Sequence, residues 1–366
     1  MNKKIAIFHN FMDNIGGAEI VCLTLAKELK ADIYTTNINY ERIKKMGFDN
    51  INIKSIGSVP HNAPLRQQMA LWRFANLKLE NKYDYYIIGG DWAISGAKHN
   101  KPNLWYVHSP IREIWDLCDY TKKTYLKFYL RPLYSLWAIY NRHLNRKYVN
   151  NVQTIACNSS TTQKRISKYL KRDATIIYPP IRTNDFSFIE KGNYWLSVNR
   201  LISYKRIEMQ LQAFKNLPEE KLVIVGSYEK AKHFSKYANY ITSQKPSNVI
   251  ILNWIDRKKL IRLYSNCKGF ITTSKEEDFG MNVVEAMASG KIVIAPNEGG
   301  YKETIINGKT GILIDDISAE KIISEIKQFP SKIEYNSYCT NNAKKFDEKI
   351  FLSQIKKIIE LNGKKY

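Results

Sequence analysis

Residues Ser274–Gly290 read Ser-Lys-Glu-Glu-Asp-Phe-Gly-Met-Asn-Val-Val-Glu-Ala-Met-Ala-Ser-Gly and follow, one residue on, the apolar run Gly269–Thr272. A short apolar run, a polar loop containing one glycine, and a helix opening near Asn282 and closing at Gly290 make a strand–loop–helix unit. Repeated along a chain, that unit builds a parallel sheet covered by helices. Unpaired amides at the helix start, beside the flexible Gly280, suit phosphate or sugar oxygens. Glu277 and Glu285 lie eight apart, one in the loop and one a turn into the helix, so both can face one cleft. On spacing alone they could as well be a loop acid and a helix-surface acid.

The same alternation runs in both directions from this unit. Tyr194–Val198, Leu222–Val225, Val249–Leu252 and Ile292–Ala295 are further strands on the C-terminal side. On the N-terminal side Lys4–His9, Tyr85–Ile88, Leu104–Val107, Thr154–Ala156 and Thr175–Ile177 are strands, and Ala18–Leu29 is an amphipathic helix. Tyr178-Pro179-Pro180-Ile181 interrupts the pattern, as paired prolines halt regular structure. The reading is therefore α/β, with two doubly wound domains: 1–182, 183–345, and a closing helix in 346–366 that returns toward the first domain. Two such sheets in tandem place a cleft at the carboxyl ends of their strands.

The chain has 366 residues, which suits two domains of about 150–200 residues each. No apolar run approaches the roughly 20 residues that span a bilayer. The five cysteines are scattered and lack metal-ligand spacing, which predicts reduced thiols and a cytoplasmic location. A net charge of +23 calls for nucleic acid, an anionic membrane surface or phosphorylated small molecules as partner, or else reflects a lysine-rich solvated surface. Residues 111–183 carry fourteen Lys/Arg against four Asp/Glu, interleaved with aromatics. Within them, Lys122–Lys147 predicts peripheral binding to anionic headgroups, with Tyr125, Phe128, Tyr129 and Trp137 as interfacial anchors. The competing expectation packs Leu133, Leu136, Trp137 and Tyr140 inward.

Glu-x7-Glu around Phe279-Gly280, ahead of Ala-x-Ala-x-Gly, resembles the donor-binding signature of the family-four retaining glycosyltransferases. The resemblance extends over most of the chain. Gly16-Gly17-Ala18-Glu19 resembles the family's glycine-rich loop, Tyr106–Pro110 its histidine motif, and Asn158-Ser159 its strand-end pair. Pro179-Pro180 is similar to its interdomain turn, Asn199-Arg200-Leu201 with Lys205-Arg206 to its basic loop, and Gly299-Gly300 through Gly311 to its closing segment. Glu-Asp-Phe-Gly, and the run from His108 into Arg112 and Trp115-Asp116, look like the GDP-mannose-dependent mannosyltransferases of surface-polysaccharide assembly. Ile292 and Asn253 depart from the family pattern, the second where the nucleobase turn begins.

The resemblance implies the GT-B fold and transfer of a hexose from a nucleotide-diphosphate sugar to a glycan or lipid-linked acceptor. It implies that His108 and Glu277 contact the donor sugar and that Glu285 holds the ribose. Gly16, Gly17, Arg200, Lys205, Phe279, Gly280, Met281 and Asn282 complete the donor site, with Trp254 and Ile255 near the nucleobase. Metals that neutralise a leaving diphosphate usually sit on closely spaced aspartates. No Asp-x-Asp occurs, and Glu276-x-Asp278 is the nearest substitute. Arg200, Lys205 and backbone amides can supply the positive field, so no metal and no cofactor is expected. An epimerase or a phosphorylase could share the two-domain frame. A nicotinamide dehydrogenase is disfavoured because Gly16-Gly17 lacks the third glycine of its fingerprint. A nucleic-acid-binding protein rests on charge alone.

Overall fold

The computed structural model describes residues 3–189, 192–226, 232–328 and 335–362, so 1–2 and the last four positions of the closing segment lie outside the described residues. The chain divides into two compact units, Met1–Tyr178 with Leu352–Tyr366, and Pro179–Phe351.

The first unit holds seven strands: β1 (Ile5–Phe8), β2 (Asp32–Thr35), β3 (Ile53–Ser55), β4 (Tyr85–Ile88), β5 (Asn103–Val107), β6 (Thr154–Cys157) and β7 (Thr175–Ile176). All pair in parallel, in the order β3-β2-β1-β4-β5-β6-β7. Helices cover both faces of such a sheet, so its central strands are apolar throughout instead of alternating. β1, β4 and β5 are accordingly buried at every position. Phe8 anchors the core, with its ring 5.8 Å from Phe74 and 5.7 Å from Tyr86. The closing helix, Glu348–Asn362, buries Ile355 and Ile359 and ends with the Asn362 amide donating to the Thr154 hydroxyl at 2.9 Å.

The second unit contains β8 (Tyr194–Val198), β9 (Lys221–Val225), β10 (Val249–Leu252), β11 (Gly269–Ile271), β12 (Val293–Pro296) and β13 (Gly311–Ile314). These are also parallel, in the order β10-β9-β8-β11-β12-β13. In each sheet the strand order reverses once, between β1 and β4 and between β8 and β11. Chains leaving those paired strands diverge to opposite faces and open a crevice at the carboxyl ends. That topology decides where each unit can bind.

Sequence periodicity named no strand at β2, β3 or β13. β3 and β13 are edge strands with half-exposed positions, and β2 opens on Asp32, so none presents an unbroken apolar run. The helix Arg131–Val149 corrects the placement of four side chains in the basic segment: Trp137 as an outward anchor, and Leu133, Leu136 and Tyr140 as inward-packed residues. Trp137 packs inward against Trp92 and Tyr134, with ring centroids at 6.2 and 5.3 Å. Leu133, Leu136 and Tyr140 face solvent. The helix carries two apolar stripes, and the one with Tyr134, Trp137, Ala138 and Asn141 took the core.

Candidate active site

At the β8/β11 crevice two loops meet. Residues 199–205 leave β8, and residues 272–280 leave β11. The Thr273 hydroxyl donates to the Lys205 carbonyl at 2.7 Å, tying one loop to the other. Lys205, only 8% exposed, forms an ion pair with the Glu277 carboxylate, which also accepts from the Ser274 hydroxyl at 2.5 Å. Two residues singled out separately in sequence are thus one charge pair. Arg200, in the same loop, is exposed and donates to the Tyr204 hydroxyl at 2.9 Å.

Backbone contacts fix the Glu277 loop from behind. Gly300 donates its amide to the Glu277 carbonyl at 2.8 Å. A Cβ at Gly299 would lie 2.3 Å from that carbonyl oxygen, and one at Gly300 2.5 Å from the Asp278 oxygen. Only glycine lets the closing segment approach so near. Arg206 adds a brace, donating to the Thr273 carbonyl at 2.6 Å and to Glu298 at 3.0 Å, while Glu298 accepts the Glu276 amide.

Gly280 starts the helix Met281–Ala288 in the left-handed region, at φ 89°, and a Cβ there would come within 2.6 Å of the Tyr301 ring. Met281 is half-buried in the first turn. The Asn282 amide reaches back to the Val198 carbonyl at 2.7 Å, pinning the helix start beside the end of β8. The family resemblance implies that Phe279 belongs to the donor site. Its ring is 2% exposed and meets Phe346 edge-on at 5.4 Å, so it shapes the loop from within.

Glu285 lies one turn deeper and is 8% exposed; Arg257 donates to its carboxylate at 2.9 Å. Burial opposes the Arg257 charge, but Glu285 outweighs it and raises the pKa. Arg257 escaped the sequence reading because it belongs to no recognised motif. The available signal was its position in the helix capped by Asp256, immediately after Trp254-Ile255. Trp254 and Ile255 are half-buried in that β10-to-helix connection.

In the first unit the β1/β4 crevice is polar and tightly packed. His9, at the end of β1, is 3% exposed, with Nε2 3.0 Å from Glu19 and Nδ1 3.3 Å from the Cys22 sulfur. Glu19 also accepts the Gly16 amide at 2.8 Å. That amide is therefore already engaged, and the helix beginning at Gly17 is held by a side chain from its own first turn. Burial opposes the His9 charge, yet Cys22 and Glu19 outweigh it and hold the pKa well above the ordinary histidine value. Burial would raise Glu19, but His9 and the Gly16 amide lower it.

His108 follows β5. Its carbonyl accepts the Asn158 amide at 2.8 Å, and Ser159 caps the next helix by accepting the Thr162 amide at 3.0 Å. The Asn-Ser pair therefore positions the histidine backbone. The His108 Nε2 is buried without a hydrogen-bond partner among the described residues. Burial and the positive charge of His9 push its pKa down to about 3, so the ring is neutral at physiological pH.

Comparison with known proteins accounts for both halves. Residues 15–185 match the family described as Glycosyltransferase Family 4, and residues 182–346 match Glycosyl transferases group 1. The chain belongs to the family-four glycosyltransferases. This glycosyltransferase is 29% identical over 195 residues to the alpha-1,3/1,6-mannosyltransferase ALG2 of Dictyostelium discoideum, covering 42% of its own chain and 46% of ALG2. It is 26% identical over 219 residues to the O-antigen chain mannosyltransferase RfbU of Salmonella typhimurium, covering 57% of its own chain and 62% of RfbU. The match spans less than two thirds of either relative. Among solved structures, HepE from Anabaena in complex with UDP-glucose superposes with a TM-score of 0.77 at 17% identity, covering 98% of this chain and 100% of that one. That likeness places the glycosyltransferase in the GT-B fold class.

Proposed function

We propose that the enzyme transfers mannose from GDP-mannose, with retention of configuration and without a metal, to a glycan or lipid-linked acceptor of cell-surface glycoconjugate synthesis. The observation that carries this is the Lys205–Glu277 pair at the strand-order reversal, beside the start of the Met281–Ala288 helix. Breaking the sugar–phosphate bond develops negative charge on the leaving diphosphate and positive charge on the sugar ring. Lys205, Arg200 and the amides after Gly280 supply positive charge for the first. The Glu277 carboxylate, held by Lys205 and Ser274, accepts hydrogen bonds from hydroxyls of the donor sugar. Glu285 receives the ribose hydroxyls, with Arg257 setting its orientation.

His108 offers a neutral ring with a buried nitrogen able to hydrogen-bond the donor sugar. Attack from the face that the diphosphate leaves, with a phosphate oxygen taking the acceptor proton, retains configuration and requires no enzymic nucleophile. The mannosyl activity named for ALG2 and RfbU supports the choice of sugar. The test is to incubate GDP-mannose with the enzyme and a pool of lipid-linked and soluble glycans, then assign the product anomer by NMR. An α-linked mannose agrees; a β-linkage contradicts retention.

A further inference from the structure

The helix Arg131–Val149 and the turn before it carry an unpartnered apolar surface. Phe128 is 78% exposed, Leu133 and Leu136 are each 66%, Tyr129 and Ile139 are each 59%, and Tyr140 is 58%. Leu133, Leu136 and Tyr140 stand at i, i+3 and i+7, which places them on one stripe of the helix. The stripe packed on the core, with Trp137 against Trp92, lies about a third of a turn away. Single exposed apolar side chains are ordinary, but six contiguous large ones mark an interaction surface.

Charge identifies the occupant. Residues 122–147 contain seven Lys/Arg and no Asp/Glu. Arg142 is turned inward, donating to the Ile114 carbonyl at 2.6 Å and lying over Trp115. Arg146 donates to the Tyr169 carbonyl. Lys123 and Lys127 are exposed beside Phe128, and Lys147 is exposed at the far end of the outward stripe. The apolar stripe is thus bracketed by lysines. A second copy would meet this surface by a two-fold, setting cations against cations. An anionic bilayer offers both the negative charge and the apolar interior that the surface lacks. No described helix is long and apolar enough to cross a membrane, so contact would be interfacial.

We propose that this face docks on an anionic lipid bilayer, with Phe128, Leu133, Leu136 and Tyr140 entering the headgroup boundary and Lys123, Lys127 and Lys147 pairing with lipid phosphates. The surface stands on exposure and charge and does not rest on the identity of the donor.

The test is sedimentation of the full chain with vesicles of mixed phosphatidylglycerol and phosphatidylcholine, and with phosphatidylcholine alone. The wild type should pellet with the mixed vesicles at low salt and be released as salt rises. Each lysine near the surface contributes about fivefold to partitioning, so Lys123→Ala with Lys127→Ala should weaken it roughly twenty- to thirtyfold. Leu133→Ser with Leu136→Ser should cost about tenfold or more, at high salt as well as low. Both pairs are surface changes that should leave GDP affinity and the melting temperature unchanged, which separates lost docking from misfolding. Wild type that stays in the supernatant with mixed vesicles overturns the proposal. So does a concentration-dependent dimer that Leu133→Ser with Leu136→Ser dissociates, since a second copy would then cover the face.

Discussion

Lys205 and Glu277 form an ion pair across 72 residues of sequence, with side chains only 11% and 20% exposed. Two shielded charges hold each other where the loops after β8 and β11 meet. Each is costly to leave alone, so the pair keeps both in place before any donor arrives.

Glu277→Ala should abolish sugar transfer while leaving the nucleotide bound. The variant strands Lys205 and should lose about 1–3 kcal/mol of stability as well. Glu277→Gln, which keeps the shape and an acceptor oxygen, should fold better yet remain inactive. Calorimetric titration with GDP, run beside a turnover assay, checks both. Wild-type turnover in either variant would remove Glu277 from the site.

Arg257→Ala should weaken nucleotide binding although Arg257 is outside every recognised motif. Glu285 loses its 2.9 Å partner and with it a fixed orientation. Loss of one charge-assisted bond costs about 1.5–3 kcal/mol, or roughly ten- to more than a hundredfold in affinity. Arg257→Lys should recover part of the loss. Unchanged GDP affinity in Arg257→Ala would show that Glu285 needs no positioning.

Stability of the first unit should peak near the ordinary histidine pKa, about 6.5. His9 has a raised pKa in the folded chain, so its contribution is complete below about 6.5 and fades as pH rises through the folded value. His108 is pushed down to about 3, so its contribution is complete above about 6.5 and fades as pH falls toward 3. Glu19, lowered by His9, adds to the acid limb. Urea midpoints measured across pH should show both limbs. His108→Asn should flatten the acid side and His9→Asn the alkaline side. A His108→Asn curve that superposes on the wild type would refute the buried neutral imidazole.

Much of this site was legible in sequence because its chemistry sits on loops at strand ends. Gly280 and Asn282 mark the loop and helix start that a strand–loop–helix unit needs, whereas the roles of Glu277 and Glu285 come from the family resemblance. The Lys205–Glu277 contact was not legible, since spacing says where loops lie and not which side chains meet. Arg257 was missed for want of a pattern around it. The helix Arg131–Val149 was misjudged because both its stripes are apolar, so periodicity finds the helix but cannot choose its buried side. That choice came from Trp92, a residue of a distant segment.

Activity should survive EDTA, because Lys205 and Arg200 are proposed to supply the charge that a divalent ion would otherwise bring. Lys205→Ala and Arg200→Ala should each weaken donor binding by about ten- to a hundredfold, the exposed Arg200 toward the lower end. Turnover with GDP-mannose before and after chelation checks the first claim. Loss of activity on chelation with recovery on added Mg or Mn would show that the cations do not suffice.

The most direct measurement is a binding panel of GDP-mannose, UDP-glucose, dTDP- and ADP-sugars against the wild-type chain, by thermal shift and calorimetry. A donor present at 100 times its dissociation constant stabilises a folded chain by about 2.7 kcal/mol. GDP-mannose should produce the largest shift, and Glu277→Ala should reduce it toward that given by GDP alone. A larger shift with UDP-glucose than with GDP-mannose, or the same GDP-mannose shift in wild type and Glu277→Ala, would contradict the proposed donor and its proposed grip on the sugar.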